Sequence, residues 1–243
     1  MLIYLPIAEI SVNMFVIFGM GAAVGFLSGL FGVGGGFLLT PLLIFSGIPP
    51  VVSVATVASQ IVASSASAAL SYWRRRMIDM KLATILMLSG IVGTLIGVVV
   101  FNMLRSLGQL DLIVSIAYVT LLGAIGVLML NEAVRAILNA RAGRPATLRR
   151  PGQHTWVHGL PLKMRFKRSK LYVSAIPVVG LGIAIGFLGA LLGIGGGFIL
   201  VPALVYLLRV PTNLVIGTSL VQIVATMSVA TVLHSTTNQS VDI

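Results

Sequence analysis

Long apolar runs separated by short polar breaks set the pattern of this chain. A bilayer core about 30 Å thick takes about 20 apolar residues to cross as a helix. Six runs approach or exceed that length and hold no Asp, Glu, Lys or Arg: Met14–Phe31, Pro50–Tyr72, Leu82–Leu104, Ile113–Leu130, Val173–Leu192 and Leu214–Leu233. Two more, Phe37–Phe45 and Phe198–Leu208, are too short to cross. Each follows a glycine cluster and contains a proline, Pro41 or Pro202. Proline lacks the N–H that would bond the carbonyl four residues earlier, here that of Phe37 or Phe198. The pattern therefore predicts an all-α integral membrane protein with broken or re-entrant segments at the glycines.

Residues 132–171 are the one clear hydrophilic stretch, between a first membrane unit (1–131) and a second (172–243). The net charge of +11 does not point to nucleic acid, because no aromatic-basic platform accompanies it. The basic residues cluster at Arg74–Arg76 and between Arg135 and Lys170, each between apolar runs. Lys and Arg are retained in this way on the cytoplasmic side of a cell membrane. Residues 1–13 carry no basic region and no clear cleavage site, so no removable signal peptide is read there. With no cysteine, disulfides, thiolate catalysis and cysteine metal sites are excluded. His154 and His158 stand four apart in the loop without a third ligand type nearby, and read as solvated side chains rather than a metal pair.

The chain also resembles itself. Gly25-Phe-Leu-Ser-Gly-Leu-Phe-Gly32-Val-Gly34-Gly35-Gly36-Phe37-Leu-Leu-Thr-Pro41 returns as Gly186-Phe-Leu-Gly-Ala-Leu-Leu-Gly193-Ile-Gly195-Gly196-Gly197-Phe198-Ile-Leu-Val-Pro202, offset by 161. Gln60-Ile-Val-Ala63 returns as Gln222-Ile-Val-Ala225, and Thr56 pairs with Thr218, both offset by 162. Apolar composition alone does not align five glycines, a proline and a Gln-Ile-Val-Ala block in one order. Duplicated halves with paired Gly/Pro interruptions mark transporter folds, and the interruptions point to the binding site.

The glycine clusters are neither a P-loop nor a dinucleotide fingerprint: no Lys-Ser/Thr follows, and Phe37 occupies the third glycine position of the latter. Glycine does permit close backbone approach, and a helix starting behind it presents unpaired N–H groups that can hold an anion. The competing account is tight helix packing. Downstream, Ser53, Thr56, Gln60, Ser64, Ser67 and Ser71 share one helical face, with Thr218, Gln222 and Thr226 at matching places in the second half. The candidate substrate-binding set is Gly34, Gly35, Gly36, Gly195, Gly196, Gly197, Thr56, Gln60, Thr218, Ser219 and Gln222. The acidic residues Glu9, Asp79, Asp111, Glu132 and Asp242 lie at or beyond the ends of the runs, and His234 ends another. No catalytic residue, metal site or cofactor is read, and an intramembrane enzyme is disfavoured.

The paired Gly-x-Gly-Gly-Gly-Phe segments, each followed by an apolar run with a proline, resemble the sulfite exporter TauE/SafE family, also called the four-toluene-sulfonate uptake permeases. The resemblance covers both repeats. It implies a duplicated helical permease or exporter moving a small anion, often a sulfur oxyanion or organosulfonate, by secondary transport. The implied partners are the bilayer and that anion, with a homo-oligomer left open. The rival is a non-transport anchor or partner subunit of an enzyme complex. The family is usually longer at its C terminus. Asp242 stands where Asp79 precedes a helix pair in the first half, so the natural protein is expected to continue with two more spans.

If Phe37–Phe45 re-enters, the N terminus, Arg74–Arg76 and the 132–171 loop share the cytoplasmic side. If it crosses, both basic loops stay inside and only the N terminus moves out. A cysteine introduced between Arg141 and Arg150 should resist impermeant thiol reagents in intact cells and react once the membrane is opened. Labelling from outside would refute this orientation.

Overall fold

The computed structural model of the protein describes residues 2–5, 10–31, 35–141, 163–166, 171–206 and 212–238. Helices dominate: α1 (Met14–Phe31), α2 (Gly36–Phe45), α3 (Pro50–Arg74), α4 (Met80–Ser106), α5 (Leu110–Arg141), α6 (Ala175–Leu192), α7 (Gly197–Tyr206) and α8 (Thr212–Leu233), the last running into a π-helical turn, His234–Asn238. Five described segments are long and apolar enough to cross a membrane: Pro50–Arg74, Met80–Ser106, Leu110–Leu138, Ala175–Leu192 and Leu214–Thr237. Helix α1 covers the remaining expected span, its apolar helix described in full over Met14–Ser28. The chain is thus an all-α, multi-pass membrane protein. Large apolar side chains such as Phe18, Val99 and Val119 face outward, as a lipid-exposed surface requires.

Two details were not legible in the pattern. Short antiparallel hairpins precede α1 (Leu2–Leu5 with Ile10–Asn13) and α6 (Lys163–Phe166 with Leu171–Ser174). Helix α5 also continues to Arg141, so the hydrophilic stretch expected from Glu132 begins as helix. Its segment Glu132–Arg141 is rich in good helix formers, and a charge ends an apolar run without ending a helix.

Local signals set several helix ends. Pro50 occupies the first turn of α3, where its missing N–H costs nothing. Asp79 caps α4 by accepting the Leu82 N–H at 3.4 Å, and Ser174 caps α6 by accepting that of Ile176 at 3.3 Å. Gly193 ends α6 in the left-handed conformation, φ 66°.

The two halves interlock instead of standing side by side. Ile223 and Met227 of α8 join the core formed by α1, α2 and α3. Tyr118 and Val114 of α5 pack with Leu191, Leu192 and Ile194 at the end of α6. The closest approach is between α4 and α6. Gly90, Gly93 and Gly97 of α4 meet Gly182 and Gly186 of α6 so tightly that a Cβ on Gly93 would strike the Ile183 backbone, and one on Gly186 the Gly90 backbone. The Thr94 hydroxyl donates across this seam to the Gly186 carbonyl at 3.4 Å. In hydrocarbon, where apolar burial drives helices together only weakly, small residues that let backbones touch supply the association.

Gly93→Ala should therefore destabilise the protein by about 1–3 kcal/mol, since backbone atoms cannot move aside for the methyl. Gly123→Ala on α5, where nothing lies within 4 Å, should cost nothing. Thermal unfolding in detergent measures both; equal stability of the two variants would refute the seam.

Candidate functional site

The break between α6 and α7 is built on three left-handed glycines: Gly193, Gly195 and Gly196, at φ 66°, 72° and 75°. Their lack of side chains is used as well. A Cβ on Gly193 would lie 2.9 Å from the Val54 carbonyl oxygen, one on Gly195 2.9 Å from Ile61 Cγ2, and one on Gly196 would overlap Ile185. The carbonyls freed where α6 stops have no water to turn to and are met by side chains from elsewhere. Tyr118 Oη of α5 donates to the Leu192 carbonyl. Thr40 Oγ1 of α2 donates to the Gly193 carbonyl at 3.3 Å. His234 Nε2 sits 3.3 Å from the Ala190 carbonyl oxygen.

At the first break Gly32 and Gly34 lie outside the described residues. Gly35 caps α2, its carbonyl accepting the N–H groups of Leu38 and Leu39 at 3.3 and 3.2 Å. Gly36 is buried against Ile61, and a Cβ there would stand 2.9 Å from the Gly193 carbonyl oxygen. Ile61 thus fills the space between the breaks. Phe37 and Phe198, one residue into α2 and α7, stack with centroids 4.2 Å apart and planes 2° from parallel. The two half-helices begin at a common point, where the carbonyl of Gly196 accepts the N–H groups of Ile199 and Leu200 at 3.1 and 2.8 Å as that of Gly35 accepts those of Leu38 and Leu39.

Two cavities open beside the first break. The larger, about 510 Å³, is lined mainly by apolar residues of α1, α2 and α3, with Thr56, Ser59 and Gln60 as its polar members. The smaller, about 240 Å³, is lined by Ser28, Gly35, Gly36, Gln60, Ser64, Ser65 and Tyr72, closed by Ile216 and Leu220 of α8. Gln60 borders both. Among the described residues, no Asp, Glu, Lys or Arg lines either.

Of the sequence-derived candidates, Gly35, Gly36, Thr56 and Gln60 meet at these cavities. Gly34 is outside the described residues, and the remaining candidates line neither cavity. Gly195, Gly196 and Gly197 are buried, Gly195 against Ile61 and Ile223 and Gly196 against Ile185. Thr218 receives the Asp79 N–H at 3.3 Å and donates to the Leu214 carbonyl at 2.6 Å, holding α8 to the α3–α4 corner. The Ser219 hydroxyl donates to the Val215 carbonyl. Gln222 is 1% exposed, and its amide nitrogen would lie 2.9 Å from a Cβ on Gly90. Neither amide atom of Gln222 has a hydrogen-bond partner among the described residues. His154 and His158 lie outside the described residues.

Sequence reasoning missed Ser28, Ser65, Thr40 and Tyr118. A lone tyrosine in an apolar span was a usable signal, because its hydroxyl needs a partner in hydrocarbon. Ser65 lies off the face marked by Thr56, Gln60 and Ser64, and periodicity could not have found it.

Comparison with known proteins adds to this geometry. Residues 17–243 match the family model described as Sulfite exporter TauE/SafE. A "Probable membrane transporter protein" of Xylella fastidiosa (strain 9a5c) is 31% identical over 232 residues, 95% of this chain and 77% of the relative. "Probable membrane transporter protein YunE" of Bacillus subtilis is 27% identical, covering 88% of this chain and 76% of the relative. "Sulfite exporter TauE/SafE family protein 1" of Arabidopsis thaliana is 38% identical over 96 residues, 39% of this chain and 21% of the relative. No solved structure matches.

Tyr118→Phe would strip the Leu192 carbonyl of its donor while keeping the ring. A buried group left unpaired costs about 1–3 kcal/mol, and the melting temperature in detergent should fall accordingly. An unchanged melting temperature would show that this cap carries no weight.

Proposed function

The chain belongs to the sulfite exporter TauE/SafE family and is a membrane transporter of that type; from this premise we propose that its cargo is a small anion, a sulfur oxyanion or organosulfonate such as sulfite, moved by secondary transport across the cell membrane. One observation carries the reading. The smaller cavity sets the start of α2, at Gly35 and Gly36, beside the Gln60 amide and the side chains of Ser28 and Ser65, and among the described residues no ionised side chain lines either cavity.

An anion entering a low-dielectric interior needs compensation. A helix N terminus supplies about 0.3–1 kcal/mol when exposed and up to about 2 when partly buried. Neutral donors add hydrogen bonds without trapping the ion as a buried Lys or Arg would. Thr56, Ser59, Gln60 and Ser64 set a polar track on α3 past both cavities, and this track is the proposed route. The apolar wall of the larger cavity (Ile17, Phe18, Leu39, Leu43 and Val57) suits the carbon skeleton of an organosulfonate. In this reading the two repeated halves are units of one permease, and the basic residues between Arg135 and Lys170 face the cytoplasm.

The test is flux. Proteoliposomes holding the full chain should take up or release sulfite, sulfate or an arylsulfonate faster than empty vesicles. Gln60→Leu should weaken apparent affinity about tenfold, the order of one hydrogen bond to a charged group. Absence of flux with every anion, together with a partner protein that co-purifies in fixed proportion, would replace transport by the anchor reading.

A further inference from the structure

Two cavities and two glycine breaks leave open where the anion is recognised, and one side chain separates the alternatives. Ser65 is 2% exposed, lines the smaller cavity, and its hydroxyl has no hydrogen-bond partner among the described residues. Serines in membrane helices ordinarily bond back to their own helix, as Ser59 does to the Thr56 carbonyl at 2.7 Å, and Ser64 to that of Ile61 at 3.2 Å. Ser65 does not, so its donor is unspent. An unpaired buried hydroxyl is a standing cost that a ligand in the cavity would relieve.

The neighbours specify the kind of ligand. Gly35 and Gly36 open α2, whose first-turn N–H groups favour negative charge. The Gln60 amide and the Ser28 hydroxyl stand in the same lining, which also holds the apolar Val24, Ile61 and Ala68 and, among the described residues, no carboxylate. Neither cavity reaches Gly195–Gly197, where Ile61, Ile185 and Ile223 occupy the space beside Gly195 and Gly196, and the buried Gln222 amide of the second half borders neither cavity.

We infer that the smaller cavity is a single oxyanion pocket, that Ser65 and Gln60 are its specificity-determining donors, and that the second glycine break serves as packing structure without contacting the substrate. This rests on the transport reading above and narrows it to one half of the repeat. A small, fully oxygenated head such as sulfite fits because its oxygens can accept from several neutral donors at once.

The experiment uses the full chain in proteoliposomes with sulfite as probe. Ser65→Ala should raise the half-saturating sulfite concentration about 10- to 100-fold, the loss of one hydrogen bond to a charged ligand. Its ligand-free melting temperature should stay level or rise, because the unpaired hydroxyl is gone. Ser65→Thr should restore affinity. Gln60→Glu, which sets a like charge against the anion, should abolish uptake while the protein stays folded. Ser228→Ala on α8, whose hydroxyl bonds the Val224 carbonyl and lines neither cavity, should behave as wild type. Unchanged sulfite handling in both Ser65→Ala and Gln60→Glu overturns the pocket and leaves transport standing. So does a Ser65→Ala protein that loses ligand-free stability in proportion to its affinity, or a Ser228→Ala protein equally impaired. A wild-type protein inert toward sulfite, sulfate and arylsulfonate removes the transport reading, and the pocket with it.

Discussion

A helix that stops inside hydrocarbon leaves carbonyls that neither water nor lipid can satisfy, and much of this structure follows from how those carbonyls are met. Leu192 and Gly193 end α6 inside the bundle. Tyr118 comes from α5 and Thr40 from α2, both in the first half of the chain, to donate to them. The break in one half is therefore held open by side chains of the other. It also fixes where α7 can start, and hence where Phe198 meets Phe37.

The glycines serve two different ends. At Gly193, Gly195 and Gly196 they supply backbone angles that side chains rarely allow, and they admit Val54, Ile61 and Ile185 to close range. Along α4 and α6 the angles are ordinary and only the missing side chain counts, because backbone lies against backbone. Gly35 and Gly36, besides admitting close contacts, border a cavity where they open α2. One residue type repeated in one motif thus does structural work in the second half and borders the candidate route in the first.

That asymmetry bears on transport. A pathway bounded on one side by α1 and α2 and on the other by α3 can change shape by small movements of α1 or α2. The seam between α4 and α6 has no slack, as any side chain between Gly93 and the Ile183 backbone would collide. A close-packed seam of this kind suits a fixed scaffold.

The sequence by itself determined the membrane class, the helical spans and the two short segments. Apolar length and the rule that backbone must be satisfied within the bilayer leave few other solutions. Phe37–Phe45 and Phe198–Leu208 were legible because glycine and proline act on the local backbone, and α2 and α7 begin within a residue of those limits. The motif also marked the family, and Gln60 and Thr56 as cavity residues. What it could not separate were members of a matched pair. Gln60 and Gln222 occupy the same place in the repeat, yet one borders two cavities while the other is sealed against Gly90. Nor could it find Ser65 or Thr40, and although Tyr118 stood out as a lone hydroxyl in an apolar span, its partner, the Leu192 carbonyl, lies far away in the chain. Helix periodicity fixes which residues share a face; only the packing of one helix on another decides whether that face meets a cavity, a carbonyl or a neighbouring backbone.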